Sequence, residues 1–321
     1  MIKLESIREA AEAIRGKVVR TPLLLLPRPE ARDGREIYLK LETLQPIGSF
    51  KIRGAMNLVR RLSASELAAG VWTASAGNMA QAAAWVAREA GVPCTVLVPD
   101  DAPMTKLRAV ARLGGTVEKL PFDRWWQIFA DRDYPGMKGQ FLHPFDDDHV
   151  MAGGGTIGLE ILEDLSDADT VLVPWGGGGL ASGIASAIKA MRPATRVYGA
   201  EVATAAPLAP SLAAGKLVQV ERVPSFVDGI GGREVHPHMY DLARALLDGA
   251  LVASVAEIED AIRFLVERVH VTAEGAGACP VALALSGRAP GKKIVCVVSG
   301  GNIDPEVLAR ILAPGMNGHG S

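Results

Sequence analysis

Along the chain, short apolar runs of strand length alternate with longer stretches of helical period, and most of the apolar runs end in a polar or glycine turn. Met1-Ile-Lys-Leu-Glu-Ser-Ile-Arg-Glu-Ala10 mixes charged and apolar positions as an amphipathic helix does. Residues 20–24 and 37–42 are predicted to be extended, flanking the polar turn Arg32-Asp-Gly-Arg35. The pattern then repeats. Residues 71–74 form a short strand ending in Ser75-Ala-Gly-Asn78, followed by an alanine-rich helix over 79–89. Residues 94–98 lead through Pro99–Pro103 into a helix reaching Leu113, and 116–120 precede a helix carrying Trp125, Trp126 and Phe129. Further on, residues 171–174 run into Trp175 and Gly176–Gly179, with a helix over 180–191. A strand follows at 196–201, then one at 294–298 that ends in Ser299-Gly-Gly-Asn302 before a last helix over 305–312. The tail 315–321 is expected to be disordered. Repeated strand, turn and helix units predict an α/β fold with a parallel sheet and helices on both faces. Turn formers and charges cluster across 133–139 and 143–148, which marks the expected domain boundary.

Composition narrows the function classes. A chain of 321 residues can bury a sizeable core, as one large or two smaller domains. With a net charge of -2 and charges scattered along the chain there is no basic face for nucleic acid, so a small-molecule partner is expected. No apolar run approaches the roughly 18 residues of a membrane span, and no export signal opens the chain, so a cytoplasmic protein is expected. Cys94, Cys279 and Cys296 are odd in number, widely spaced and set among apolar neighbours, which favours buried reduced thiols over disulfides or a metal site.

Two stretches change the picture. In Pro46-Ile-Gly-Ser-Phe-Lys51-Ile-Arg-Gly-Ala55, Gly48 and Ser49 are turn and N-cap types, placing Lys51 in the first turn of a helix through Ala55, Leu58, Val59 and Leu62. The positive end of a helix disfavours a cation, which lowers the lysine pKa and leaves the free amine able to attack a carbonyl. On this stretch alone, a solvated helix-end lysine is the competing reading. The second stretch is Gly176–Gly179, where four side-chain-free residues before a helix let backbone amides converge on a phosphate. It lacks the ending of a nucleoside-triphosphate loop and the spacing of a dinucleotide fingerprint; a plain flexible turn is the alternative. A reactive lysine and a phosphate cradle together suggest pyridoxal phosphate, a phosphorylated aldehyde that a lysine holds as an imine.

The motifs then resemble, in order and over nearly the whole chain, the tryptophan-synthase-β type of pyridoxal-phosphate enzyme, fold type II. Within it they resemble the threonine and serine dehydratase family, which includes serine racemases. Gln45 to Ala55 is similar to its cofactor-lysine motif, Ser75–Asn78 to its substrate-carboxylate loop, and Gly155-Thr-Ile-Gly-Leu-Glu160, Gly176–Leu180 and Ser299–Asn302 to the rest. The resemblance implies that Lys51 bonds the cofactor and acts as acid and base, with Ser75 also catalytic. Phe50 packs on the cofactor ring, Asn78 bonds the ring hydroxyl, Gly176, Gly177, Gly178 and Gly179 hold the phosphate, and Ser299 meets the pyridine nitrogen. Ser75, Ala76, Gly77, Asn78, Met79 and Glu274 fall to the substrate, although Glu274 also fits a solvated glutamate at a helix start. A serine cannot keep the pyridine nitrogen protonated as a carboxylate would, so prompt β-elimination is favoured over routes needing a long-lived carbanion.

The implied fold has two domains, residues 1–62 with 143–321 holding the cofactor, and 63–142 closing over the substrate. The implied activity is elimination from a β-hydroxy amino acid to a 2-keto acid and ammonia, in a homodimer. A racemase and a non-catalytic phosphate-binding protein are the alternatives. Met79 stands where the family usually has histidine and Gly154 where it often has glutamine, so a bulkier or less polar substrate than threonine or serine is possible. In the family's racemases a serine stands at the position of Ala76, which has no proton to give. Some members bind a metal through a glutamate and an aspartate six residues on; Glu201 is followed there by Pro207, so no metal is expected. His143 and His149 are expected to serve the loop and not a metal. The chain ends soon after the last helix, so an appended regulatory domain is not expected.

Overall fold

The computed structural model describes residues 1–28, 33–102 and 104–313. Arg32 and Pro103 of the expected turns, and the tail 315–321, lie outside the described residues. Ten strands form two sheets among the described residues. They are, in chain order, β1 (Leu23–Leu25), β2 (Glu36–Leu41), β3 (Val71–Ala74), β4 (Cys94–Pro99), β5 (Thr116–Leu120), β6 (Gln140–Phe141), β7 (Thr170–Pro174), β8 (Arg196–Val202), β9 (Gly249–Ala253) and β10 (Lys293–Val298). The larger sheet has the order β1-β2-β10-β7-β8-β9, parallel except for the antiparallel edge strand β1. The smaller is fully parallel, β5-β4-β3-β6.

Interior strands of a parallel sheet are covered on both faces, which is why β7 is buried at all five positions and β3 at all four. Ile7, Ile157, Ile184 and Met239 belong to the core on one face of the large sheet; Ile258, Ile262, Val281 and Leu283 belong to the core on the other. The small sheet has an alanine-rich core on one side, with Ala80, Ala83, Val86 and Val110. On the other it has a thin core of Trp72, Leu97 and Ile128 ringed by aromatic side chains.

The helix Asp148–Asp164 falls where the sequence shows only a glycine motif. Its glycines serve close helix packing: a Cβ on Gly153 would come 2.5 Å from the Arg53 carbonyl oxygen, and one on Gly183 would come 2.2 Å from that of Met151. Gly154 corrects an expectation. It faces Leu180 inside the helix pair and does not border the substrate cavity.

The helix Lys51–Val59 also departs from the sequence expectation. Its N-cap is Phe50, without a side-chain cap, and the helix stops before Leu62. Ser49 does not cap; it pairs through its backbone with Gly300, and its hydroxyl has no hydrogen-bond partner. The loop ends bind each other instead, as Phe50 N donates to Ser299 O (3.0 Å) and Gly301 N to Gly48 O (2.9 Å).

The residues Gly155–Glu160 feed a buried ionic network. Arg53 donates from Nε and Nη2 to the two oxygens of Glu42, both at 2.8 Å, and from Nη1 to Glu160 Oε1 at 2.6 Å. Lys40 Nζ donates to Glu160 Oε2 (2.5 Å) and Thr21 O (2.6 Å). Two cations and two carboxylates balance, so burial leaves no charge unpaired. Cys94, Cys279 and Cys296 are buried and free. No helix among the described residues is long and apolar enough to cross a membrane.

Candidate active site

In parallel sheets the strand carboxyl ends face a common crevice, and here the loops after β3, β7 and β10 meet at one cavity of about 560 Å³. β10 lies between β2 and β7, so its Ser299 loop is flanked by the chain leading to Lys51 and by the glycine turn. Phe50, Lys51, the run Ser75–Met79, the run Gly176–Gly179, Glu274 and Ser299 all border this cavity. Residues separated by nearly 250 positions in sequence are thereby brought together.

Lys51 Nζ donates to the carbonyl oxygen of Pro144 at 2.5 Å and lies 4.9 Å from the Phe50 ring centroid. Burial lowers its pKa from the ordinary lysine value to about 8, against a smaller opposing pull from Glu274. The direction matches the sequence reading, but desolvation is the leading cause instead of the helix dipole. The amine is therefore part neutral near neutral pH, the form that attacks a carbonyl.

The loop after β3 is tied down from two sides. Asn78 Nδ2 donates to Glu274 Oε1 and Asn78 Oδ1 accepts from Asn302 Nδ2, both at 2.7 Å. Asn302 Nδ2 also donates to Ile47 O at 2.9 Å, linking the β3 loop, the β10 loop and the Lys51 turn. Glu274 precedes the helix Gly275–Leu285, but its side chain makes no cap and is 7% exposed. It is no solvated helix-start glutamate. Met79 borders the cavity while being buried in the small-sheet core. Ser75 Oγ accepts from Gly77 N at 3.2 Å, and Ala76 beside it presents a methyl group.

The glycine turn fits a phosphate. The helix Gly179–Met191 starts there with Gly178 as an N-cap that supplies no side chain, so the first-turn amides have no intrahelical acceptor. Packing against the turn enforces glycine: a Cβ on Gly177 would fall 2.2 Å from Phe145, and one on Gly178, whose φ is +89°, would fall 2.5 Å from Trp175. Trp175 is thus a packing residue, buried to 1%. A part-neutral amine on one wall and an anion cradle on another suit the aldehyde and phosphate of pyridoxal phosphate.

Other groups serve structure. Glu201 accepts from Leu208 N and Ala209 N, both at 2.8 Å, so helix-end amides occupy its carboxylate; burial still raises its pKa to about 7. His143 Nδ1 accepts from Phe145 N (3.3 Å) and Asp146 N (2.8 Å), and burial, aided by Arg132, lowers its pKa to about 4, so the ring is neutral. The His149 backbone amide donates to the Asp147 cap. No group of three or more His, Cys, Asp or Glu among the described residues is placed to hold a metal. The sequence reading gave no role to Pro144 and Phe145, nor to residues 228–232, Glu234 and His236, which border the cavity. The Pro-Phe pair directly after His143 was the available signal.

Residues 14–300 match the model of the pyridoxal-phosphate dependent enzyme family. The chain is 43% identical over 319 residues to the L-threonine ammonia-lyase of Thermotoga maritima, covering 98% of this chain and 79% of that protein. The Geobacter sulfurreducens L-threonine ammonia-lyase is 41% identical at the same coverage. Among solved structures, maize serine racemase is similar at a TM-score of 0.89 and 33% identity, covering 96% of each chain. The threonine deaminase of T.th. is similar at 0.82 and 32%, covering 94% of this chain and 99% of that one. With a lysine of lowered pKa, a glycine turn that fits a phosphate and these relatives, the chain belongs to the pyridoxal-phosphate-dependent enzymes of fold type II, in the threonine/serine dehydratase family.

Proposed function

We propose that this protein is a pyridoxal-phosphate-dependent lyase that converts a β-hydroxy amino acid, threonine, serine or a bulkier analogue, to a 2-keto acid and ammonia. The carrying observation is the one-sided acid–base equipment of the cavity. Lys51 offers a part-neutral amine, Ala76, at the position of the racemases' serine, offers only a methyl, and Glu274 is held by Asn78. A racemase must exchange protons on both faces of the α-carbon and needs two groups. The likeness to maize serine racemase keeps that reading second.

When bound, pyridoxal phosphate supplies a conjugated electron-withdrawing ring that acidifies the substrate's α-proton. Lys51 Nζ accepts that proton in its neutral form and later returns to hold the cofactor. Amides of Gly176–Gly179 would hold the phosphate, Phe50 would pack on the ring, and Ser299 would partner the ring nitrogen. Ser75–Met79 receives the substrate carboxylate, with Asn78 fixed by Glu274 and Asn302. The unit 63–142, whose strands make their own sheet, closes over the substrate. Three buried free thiols support a reducing, cytoplasmic setting. Exposed Leu24 and Leu25 on edge strand β1 support a homodimer, since a second copy would cover them.

The test is stoichiometry. Keto acid and ammonia should appear in equal amounts from β-hydroxy amino acids. Keto acid without ammonia would point to transamination, and solvent deuterium entering recovered substrate with inversion would put the racemase first. Cofactor absorbance with no turnover of any such substrate would leave a binding protein.

A further inference from the structure

The helix Phe122–Asp131 carries aromatic residues that the elimination does not use. Its contact with the small sheet is centred on Ile128, 2% exposed, yet it holds Trp126 at 56% exposure. Trp125, Trp126 and Phe129 border the cavity. Their rings form a continuous wall: Trp125 to Phe129 at 5.0 Å, Trp126 to Phe129 at 5.5 Å and Phe129 to Phe145 at 6.3 Å between centroids. Phe145 follows Pro144, whose carbonyl holds Lys51 Nζ. The wall therefore runs from beside the reacting amine towards the cavity mouth. It is also held in place. Trp125 Nε1 donates to Leu97 O at 3.0 Å, and Arg132 at the end of the helix pairs with Asp146 at 2.6 Å, which is bonded in turn to His238 Nδ1 at 2.6 Å.

The charged side chains bordering the cavity, among the described residues, are Lys51, Asp228, Glu234 and Glu274, with His236 as a further titratable group. No arginine is among them, and His143 behind Phe145 is neutral. A carboxylate on the substrate's β-carbon would meet acidic groups without a cation free to take it. An uncharged ring would meet other rings, which attract it edge-on or offset.

We propose that the preferred substrate is a β-hydroxy-α-amino acid with an aromatic ring on its β-carbon, the ring packing against Trp126, Phe129 and Phe145. This rests on the dehydratase reading above and names its substrate class. The reaction balances without a co-reactant: Cα–H and Cβ–O break and water leaves. The released enamine tautomerises, takes up one water and loses ammonia, giving a 3-aryl-2-keto acid.

The holoenzyme should be assayed with 3-phenylserine, threonine and 3-hydroxyaspartate. Expected is a kcat/KM for 3-phenylserine at least about ten-fold above that for threonine, with 3-hydroxyaspartate poorest. Trp126→Ala should cut the phenylserine-to-threonine ratio by about ten-fold, Phe129→Leu should also lower it, and Trp126→Phe should keep most of it. L-phenylalanine has the ring but no hydroxyl to lose. Its binding, followed by the change in cofactor absorbance, should weaken in Trp126→Ala more than that of L-alanine. Keto acid from threonine with little from phenylserine, or equal losses for both substrates in the variants, overturns this proposal alone. No keto acid from any of the three overturns the dehydratase reading with it.

Discussion

Lys40 and Lys51 are two desolvated lysines on one short stretch of chain, and their surroundings give them different work. Both have pKa values lowered by burial. Lys40, on β2, meets Glu160 at 2.5 Å, with Arg53 and Glu42 completing a neutral cluster. Lys51 has a backbone carbonyl at the same distance and a weaker electrostatic pull from Glu274. A partnered ammonium is drawn back towards its charged form and holds elements together. An amine hydrogen-bonded to a neutral carbonyl loses its proton more readily. What separates the two lysines here is the carboxylate at hydrogen-bond distance from Lys40, since both are desolvated.

The largest break in this comparison comes from Lys51→Ala. Turnover should fall by at least about 10³-fold, and the cofactor absorbance that borohydride fixes to the protein should vanish, while unfolding in denaturant moves little. Retained turnover would make Lys51 another structural lysine. On the other side, Glu160→Gln leaves Lys40 and Arg53 sharing only Glu42. The unfolding free energy, from denaturant titration, should drop by about 3–5 kcal/mol with kcat little changed. A loss below about 1 kcal/mol would mean that water or rearrangement replaces the carboxylate.

A finer test uses pH. Capture of pyridoxal phosphate by the apoprotein should quicken as pH rises and level off above about 8, because the neutral amine is the reactive form. Between about 8 and the ordinary 10.5 the unfolded chain still holds the Lys51 proton and the folded apoprotein does not. Stability from this group therefore rises with pH across that window. A capture rate still climbing towards 10.5 would show Lys51 to be solvated.

Much of the scaffold was legible locally. Val71–Ala74 and Thr116–Leu120 follow from apolar runs between turn formers, and Pro305–Leu312 follows from its proline start and apolar period. The helix Asp148–Asp164 was not legible, because Gly153, Gly154 and Gly155 are poor helix formers. Close packing requires two of them, since a Cβ on Gly153 would come 2.5 Å from the Arg53 carbonyl oxygen and one on Gly155 2.9 Å from that of Gly183, whereas Gly154 has room for one. The helix Gly275–Leu285 holds Pro280 in its interior and has little amphipathic pattern, being buried all round.

The same division holds at the site. The sequence alone singled out Lys51, the four glycines, Ser75–Asn78 and Ser299 as candidates, since each is confined to a short turn whose character is local. It did not determine their partners. Pro144 beneath Lys51, Glu274 and Asn302 on Asn78, and the aromatic wall running from Phe145 to Trp126 come from distant parts of the chain. Desolvation and ring stacking depend on what the fold packs within a few ångströms. That is why the tertiary structure, and not the turn around Lys51, decides its pKa and the kind of side chain the cavity can accept.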